Sequence, residues 1–314
     1  MSHTEAMWRE AEAARRAAEA ARTDAETAGR KAQAAQRQAE RANERLALVA
    51  EVTRGLAVEA TRLYDLQRNA AAVLQAGMLT RLPDVGRLRL AARYLPAGEG
   101  ADLGGDWYDA FTLLDGTLTL VIGDVAGHDF TAAACMGQLR NLLRGCAYDR
   151  HETPAAVLSR LDRLTAGLGV DVLTTALVAH LRCFALDGTE QFFLRWSNAG
   201  HPPPLLLHPE GHHRFLTASE DLLLGVDPTT DRHDHTAVLP HGGTLLLYTD
   251  GLIETRGAAL DHGLARLHHH AARLAGTAPD QLCDQLPGAM TGPDGGSDDI
   301  AVLAVSLPDR DYTR

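Results

Sequence analysis

The sequence lacks the features by which several large classes of protein are recognised. Its 314 residues include four cysteines, and none of them forms a C-x-x-C pair, so a zinc ribbon or a thioredoxin-type motif is not expected. The four are predicted to be ordinary buried thiols of a reducing compartment. No run approaches ~18 uninterrupted apolar residues, and the N-terminus has no apolar core of a signal peptide. The sequence therefore predicts a cytoplasmic protein that does not contact a membrane.

Positive charge is scarce in most of the chain, whose net charge is −11. Residues 1–75 hold 12 Lys and Arg against 11 Asp and Glu, whereas the remainder holds 18 against 30. Because the phosphates of nucleic acids require a basic surface, no nucleic-acid partner is expected. The sequence also lacks a C-x₅-R loop, a G-x-S-x-G elbow and a G-x₄-G-K-[ST] loop, so it gives no sign of a protein nucleophile or of a P-loop.

Proline is absent from residues 5–75, which are rich in Ala, Glu, Arg and Gln. Small apolar residues recur at alternating spacings of four and three from Met7 to Leu74, with polar interruptions at Thr53 and Gln67. This heptad repeat predicts a long coiled-coil helix over residues 1–75, which would serve dimerisation and signal relay. Its alanine-rich seam buries little area per contact. The alternatives are a solitary charged helix and a helix folded back on the second domain.

What the sequence does contain is a set of four short acidic motifs. In each, Asp stands beside an apolar, strand-like run, and the motifs cover residues 104–109, 123–128, 248–252 and 297–303. Any one of them alone is as compatible with a loop turn as with a site. Strand ends, however, can aim several carboxylates at one point, and hard divalent cations take oxygen ligands. The four together predict a carboxylate-bound metal centre that carries out hydrolysis.

The pattern from residue 87 onwards indicates short strands mixed with helices, which is typical of an α+β fold. Hairpin turns are predicted at Asp115-Gly116 and at Asp187-Gly188. Thr153 is the predicted N-cap of a helix at 154–168, and a second helix is predicted at 131–147. Strands are predicted at 87–94, 111–114, 118–122, 174–184, 191–196, 205–208, 244–248 and 300–307.

The motifs, in this order, resemble those of the bacterial PPM-type (protein phosphatase 2C-like) serine/threonine phosphatases of the sporulation stage II protein E and stress-response regulatory type. The resemblance runs from about residue 66 to residue 307 and is carried by residues 93–97, 105–109, 122–125, 198–204, 224–226, 247–254 and 298–301. It implies that residues 76–314 form an αββα sandwich of two central antiparallel sheets flanked by helices. The long N-terminal coiled-coil helix would precede this phosphatase domain.

The resemblance also implies a ligand set. Asp106, Asp124, Asp250 and Asp298 match the metal-binding aspartates of the family, and the backbone carbonyl of Val125 is expected to face the metal as well. These residues are expected to hold two or three Mn²⁺ or Mg²⁺ ions. Bound ions of this kind lower the pKa of a water and neutralise the charge of a phosphate monoester.

Three further aspartates are predicted around the ligands. Asp109 either accepts a hydrogen bond there or serves a turn, and Asp299 stands where related enzymes often have Asn. Asp129 replaces a glycine that is usual in the family; it either alters metal affinity or caps the helix at 131–147, and the cap is the preferred interpretation. His201 is interpreted as structural support of the site.

The resemblance implies a metal-dependent protein phosphatase that acts in sigma-factor regulation. Its expected substrate is a phosphoserine or phosphothreonine on a small anti-anti-sigma protein of the STAS type, and its expected assembly is a homodimer through the N-terminal helix. Two alternatives remain open. One is a catalytically weak scaffold that binds phosphoproteins, and the other is a small-molecule phosphomonoesterase that uses the same metal site.

Overall fold

The structure is a computed structural model, and it describes residues 3–78, 80–96, 104–127, 130–186, 189–219, 221–254, 257, 259–291 and 298–310, without the side chains of residues 3–6, 66–78, 130 and 186. The chain divides into two units, Met1–Leu66 and Gln67–Arg314. Among the described residues, no helix has both the length and the apolar character needed to cross a membrane.

The first unit is helical throughout its described residues, and its helix α1 spans His3–Met78. Ion pairs one turn apart, such as Arg16–Glu12 at 2.8 Å and Arg22–Glu26 at 3.1 Å, add local support to the helix. The larger apolar side chains on it are exposed, and they are Met7, Trp8, Leu46, Leu48, Val49, Val52, Leu56, Val58, Leu63 and Tyr64. The long helix is confirmed, whereas the coiled-coil pairing stays a prediction.

The second unit contains strands and four helices in its described part. In chain order the strands are β1 (Arg89–Leu95), β2 (Asp106–Thr112), β3 (Leu118–Val125), β4 (Thr174–Leu186), β5 (Thr189–Ala199), β6 (Leu205–Leu207), β7 (Arg214–Phe215), β8 (His235–Leu239), β9 (Thr244–Tyr248) and β10 (Ile300–Ser306). The helices are α2 (Phe130–Arg150), α3 (Pro154–Leu168), α4 (Leu260–Arg273) and α5 (Pro279–Thr291).

The strands form two antiparallel sheets that pack face to face. Sheet A has the order β1-β10-β9-β6-β7, and sheet B has the order β2-β3-β4-β5-β8. The core between the sheets is apolar, with Leu120 and Leu177 from sheet B and Leu247 and Leu303 from sheet A. A second core joins sheet B to α2 and α3, and a third joins sheet A to α4 and α5. The predicted αββα sandwich is therefore confirmed.

Local signals in the sequence account for the start of α3 and for the turn between β2 and β3. The Thr153 hydroxyl accepts the N–H of Ala156 at 3.4 Å and Pro154 occupies the first turn, so α3 begins where its cap predicts. The Asp115 carboxylate accepts the N–H of Thr117 at 2.9 Å, and Gly116 has a φ of 84°, which closes the β2–β3 hairpin. The predicted turn at Asp187-Gly188 lies outside the described residues.

Several expectations were wrong in detail. Strand β2 begins at Asp106, five residues before the predicted start, because Trp107, Tyr108 and Asp109 are all buried in the sheet. The helices α4 and α5 were not among the predicted elements. Cys183 is exposed and Cys135 is half-buried, so only two of the four thiols are buried as predicted.

Candidate metal centre

Three of the predicted carboxylates come together at one end of the sandwich. One oxygen from each of Asp106, Asp124 and Asp250 lies within 4.8 Å of the others. Asp106 is the first residue of β2 and pairs directly with Asp124 of β3 in sheet B. Asp250 begins a single 3₁₀ turn immediately after β9 of sheet A. The group is thus assembled from both sheets, where their ends meet.

The electrostatics of this group favour a cation. Burial, followed by the charge of Asp124, raises the pKa of Asp106 well above its ordinary value. Burial and then the charge of Asp250 raise the pKa of Asp124 to about 7. For Asp250, burial comes first and the charges of Glu254 and Asp298 follow, which raises its pKa to about 6. Crowded carboxylates with an all-oxygen donor set fit a hard divalent ion such as Mg²⁺ or Mn²⁺.

The raised pKa values predict a pH effect on stability in the presence of a chelator. The pKa of Asp124 is about 7 in the folded state, against an ordinary value of 3.8. The folded state therefore binds this proton more tightly than the unfolded state does. The resulting stabilisation is complete below pH 3.8 and is lost as the pH rises through 7. With EDTA at pH 8, the free energy of unfolding of Asp124→Asn is therefore expected to exceed that of wild type by on the order of 2 kcal/mol. The variant should accordingly unfold at a higher temperature. Thermal unfolding from pH 4 to pH 8 checks this, and a wild-type stability that rises across the range would contradict it.

The two aspartates before β10 have different surroundings. Asp298 is exposed, and its carboxylate accepts the N–H of Asp299 at 2.8 Å. Asp299 is 4% exposed, and a Cβ on Gly104 would lie 1.6 Å from its Oδ2 atom. A Cβ on Gly251 would lie 2.0 Å from the Asp299 carbonyl, so the glycine next to Asp250 permits this close approach. The structure does not include Asp298 in the group of three, and its role as a ligand stays a prediction.

The Val125 carbonyl lies beside the residue that precedes Asp106. A Cβ on Gly105 would stand 2.1 Å from the Val125 oxygen, and the Val125 N–H donates to the Gly105 carbonyl at 3.2 Å. Only a residue without a side chain fits at position 105, so the Gly105-Asp106 pair of the motif has a steric reason. The contact brings the Val125 carbonyl next to the start of β2.

Thr249 is a residue of the site that the sequence analysis did not single out. It is fully buried, and its hydroxyl donates to Asp106 Oδ2 at 2.7 Å while accepting the N–H of Ala301 at 2.8 Å. The hydroxyl thus connects sheet A to the most buried carboxylate of the group of three. It also lowers the pKa of Asp106, against the larger effect of burial. The available signal was a hydroxyl that directly precedes Asp250 at the end of an apolar strand.

If Asp106 binds a metal ion as predicted, removing this hydroxyl is expected to weaken that binding. A hydrogen bond to a ligating carboxylate typically contributes about 10-fold to 100-fold in metal affinity or activity, so Thr249→Val should raise the Mn²⁺ concentration for half-maximal activity by that factor. Thr249→Ser keeps the hydroxyl and is the matched control. Mn²⁺ titrations of both variants check the prediction, which would be wrong if valine and serine gave the same titration curve.

Thr174 is a second residue that sequence reasoning missed. Its hydroxyl donates to the backbone carbonyl of Asp124 at 2.5 Å, and its backbone exchanges two hydrogen bonds with Leu224 at 2.9 and 3.2 Å. Leu224 begins the 224–226 motif, and a Cβ on Gly225 would lie 1.7 Å from the Val172 carbonyl. The segment after β7 is thereby connected to the backbone of a site aspartate.

His201 joins the two sheets near the site. Its Nε2 lies 3.1 Å from the Tyr248 carbonyl, which only accepts, so Nε2 carries the proton and Nδ1 accepts from the Thr175 hydroxyl at 2.8 Å. Its backbone N–H also donates to Asn198 at 2.7 Å. Burial lowers the pKa of His201 to about 3, so the ring is neutral. These contacts agree with the structural role predicted for it.

One of the three further aspartates lies on another face of β2, and another falls outside the described residues. Asp109 is buried on the face of β2 that also carries Trp107, opposite to that of Asp106, and it accepts from Arg144 of α2 at 2.8 Å. Asp109 therefore connects β2 to α2 and does not contact the three carboxylates. Asp129, with its predicted capping role, lies outside the described residues.

Similarity to known proteins decides the family. A sequence profile described as stage II sporulation protein E (SpoIIE) matches residues 114–308, which is more than half of the chain. The chain belongs to the SpoIIE family. Among solved structures, the RsbU and RsbW domains of a Mycobacterium tuberculosis protein are 34% identical with a TM-score of 0.65, and the match covers 74% of this chain and 64% of that one. The predicted family is thus confirmed.

Other relatives of this SpoIIE-family chain are more distant. Protein IcfG of Synechocystis sp. is 28% identical over 71% of the chain, and phosphoserine phosphatase RsbU of Bacillus subtilis is 24% identical over 60%. The matches span 38% and 53% of those two proteins, respectively. The SiaA-PP2C domain of Pseudomonas aeruginosa, 17% identical with a TM-score of 0.60 over 79% of the chain and 98% of that domain, shares the fold.

Proposed function

We propose that the chain is a Mn²⁺- or Mg²⁺-dependent protein serine/threonine phosphatase. The observation that carries this proposal is the group of Asp106, Asp124 and Asp250, whose oxygens lie within 4.8 Å of one another at the junction of two sheets. Membership of the SpoIIE family and similarity to a protein named phosphoserine phosphatase support it. Asp298 and the Val125 carbonyl complete the proposed set of ligands for two or three ions.

The carboxylates of the group have two different parts in the proposed mechanism. Asp106 is buried on the inner side and is oriented by the Thr249 hydroxyl, whereas Asp124 and Asp250 are half-buried and reachable from solvent. The phosphate of a substrate therefore approaches from the side of Asp124 and Asp250. The bound ions would supply the Lewis acidity that activates a water and neutralises the phosphate. The carboxylates hold their geometry, and no side chain needs to form a covalent adduct.

We further propose that the substrate is a phosphorylated regulatory protein of the STAS anti-anti-sigma type. The family resemblance supports this, as do the names of the relatives, which include RsbU and a protein that joins RsbU and RsbW domains. Asp124 and Asp250 are half-buried and reachable from solvent, as a bulky protein substrate requires.

The test is a comparison of substrates with the full-length chain. Release of phosphate from a phosphoserine STAS protein and from p-nitrophenyl phosphate is measured with Mn²⁺ and with EDTA. The proposal expects Mn²⁺-dependent release from the phosphoprotein, with ¹⁸O from solvent water in the product. Binding of the phosphoprotein without release would indicate a scaffold, and release from small esters alone would indicate a small-molecule phosphomonoesterase.

The exposed apolar seam of α1 supports a parallel homodimer through residues ~7–74. Seam residues Leu46 and Leu56 are 74% and 67% exposed in the single chain, and pairing would cover them. Leu46→Asp with Leu56→Asp is therefore expected to give a monomer by light scattering at tens of micromolar. The control pair Leu48→Asp with Val58→Asp alters equally exposed residues outside the seam and should remain dimeric. A wild-type monomer, or crosslinks in antiparallel register, would contradict the prediction.

A further inference from the structure

A cleft of about 390 Å³ lies on the helix-facing side of sheet B, beside the connection between α2 and α3. Its floor is at His180 of β4, which pairs with Thr119 of β3. Asp124 is five positions further along β3, so the cleft is roughly 17 Å from the carboxylate group. Clefts of this volume accommodate small organic ligands.

The floor of the cleft contains a buried polar atom that lacks a partner. His180 is 8% exposed, and its Nε2 makes no hydrogen bond within the part of the chain that the structure describes. Burial lowers the pKa of His180 to about 4, so the imidazole is neutral at physiological pH. The Nε2 atom is enclosed by protein, so a ligand in the cleft would meet the neutral ring of His180 rather than this nitrogen.

An arginine stands directly beside this histidine. Arg195 of β5 pairs with His180 across the sheet and lines the same cleft. Arg195 has no hydrogen-bond or ion-pair partner among the described residues. The acids of the cleft are already engaged, because Asp115 accepts the N–H of Thr117 and lies 3.8 Å from Arg182, and Glu152 pairs with Arg160. A positive charge is therefore available at the floor.

The outer wall of the cleft is aromatic. Phe184 and Phe193 meet edge to face with centroids 6.3 Å apart, and Phe184 is 43% exposed. Leu113 adds a buried aliphatic surface on the other side. A flat apolar group would cover the phenylalanines, and aromatic pairs in such geometry add to the energy of area burial.

We propose that this cleft binds a small aromatic carboxylate. Its carboxylate pairs with the planar guanidinium of Arg195, and its ring lies against Phe184 and Phe193. A guanidinium matches a carboxylate in two parallel hydrogen bonds. The apolar wall distinguishes this ligand from inorganic phosphate, which would leave the phenylalanines uncovered.

The test uses the full-length chain with phenylacetate as the probe. Binding is measured by calorimetry, and the ring signals of His180, at the floor of the cleft, are followed by NMR. A ligand of this size is expected to bind with a Kd on the order of 1 mM. Arg195→Gln should weaken binding about tenfold, since it removes a charge-assisted pair, and Phe184→Ala should weaken it about threefold. Arg273→Gln, an exposed arginine on α4, is the matched control and should have no effect.

Neutral and inorganic competitors complete the test. Phenylacetamide and inorganic phosphate are each expected to bind about tenfold more weakly than phenylacetate. Thermal unfolding of each variant shows that it is folded before binding is measured. The proposal is overturned if phenylacetate does not bind saturably, if Arg195→Gln binds it as wild type does, or if phosphate binds as tightly.

Discussion

Replacing Asp124 by asparagine is expected to lower kcat/KM for a phosphoprotein by about a thousandfold. An amide lacks the charge that holds a divalent ion, and bound ions contribute several kcal/mol to such reactions, with each 1.36 kcal/mol equal to a factor of ten. Asp250→Asn is expected to have a similar effect, because its carboxylate belongs to the same group. EDTA should abolish wild-type activity, and Mn²⁺ should restore it.

The matched control for this prediction is Asp149→Asn. Asp149 is exposed in the last turn of α2, at the other end of that helix from the end of β3 that carries Asp124. This variant should retain the wild-type kcat/KM and its Mn²⁺ dependence. Initial rates with and without EDTA give the comparison for all three variants. Activity that survives both EDTA and Asp250→Asn would exclude a metal mechanism.

A second large effect is expected on stability, at a buried ion pair between an arginine and an aspartate. Arg232 Nη2 lies 2.5 Å from Asp162 Oδ2, and the two side chains are 0% and 2% exposed. Asp162 also accepts the N–H of Gly225 at 2.9 Å, and Arg232 donates to the Leu222 carbonyl at 2.9 Å. The pair thus joins α3 to the segment between β7 and β8. Removing one partner leaves the other charge buried and uncompensated.

Arg232→Met is therefore expected to destabilise the protein by about 3–5 kcal/mol. For a domain of this size, the loss corresponds to a fall in Tm on the order of 10 °C. The control is Arg93→Met, which breaks an exposed pair with Asp284 at 3.3 Å whose side chains are 54% and 57% exposed. That change should cost less than about 1 kcal/mol. Denaturant unfolding measures the loss of stability in both variants, and equal losses would contradict the prediction.

The sequence predicted those features that depend on local chemistry. Thr153 and Pro154 defined the start of α3, and the Asp115-Gly116 pair defined a hairpin. The position of that turn also determines which residues pair at the site. Asp106 and Asp124 are each nine residues from Asp115, so a tight hairpin centred there pairs them directly, as the register shows. The predicted strand instead began at residue 111, because a strand that opens with two aromatic residues between two aspartates does not have an apolar pattern.

The contacts between the sheets could not be predicted in the same way. The Thr249 hydroxyl reaches Asp106 across 143 positions of the chain, and the ring of His201 reaches Tyr248 across 47. Such contacts depend on how two sheets pack, and no local signal specifies that packing. The same reason applies to the surroundings of Asp298 and Asp299, where only the folded chain shows which side chain is buried.

The origin of the carboxylate group in both sheets has a consequence for the order of folding. Asp106 and Asp124 come together as soon as the β2–β3 hairpin forms, but Asp250 joins them only after sheet A has docked on sheet B. Contacts of such large sequence separation form late, because a long loop must close first. A bound ion should therefore leave the folding rate nearly unchanged and slow unfolding, so that it prolongs the lifetime of the native state.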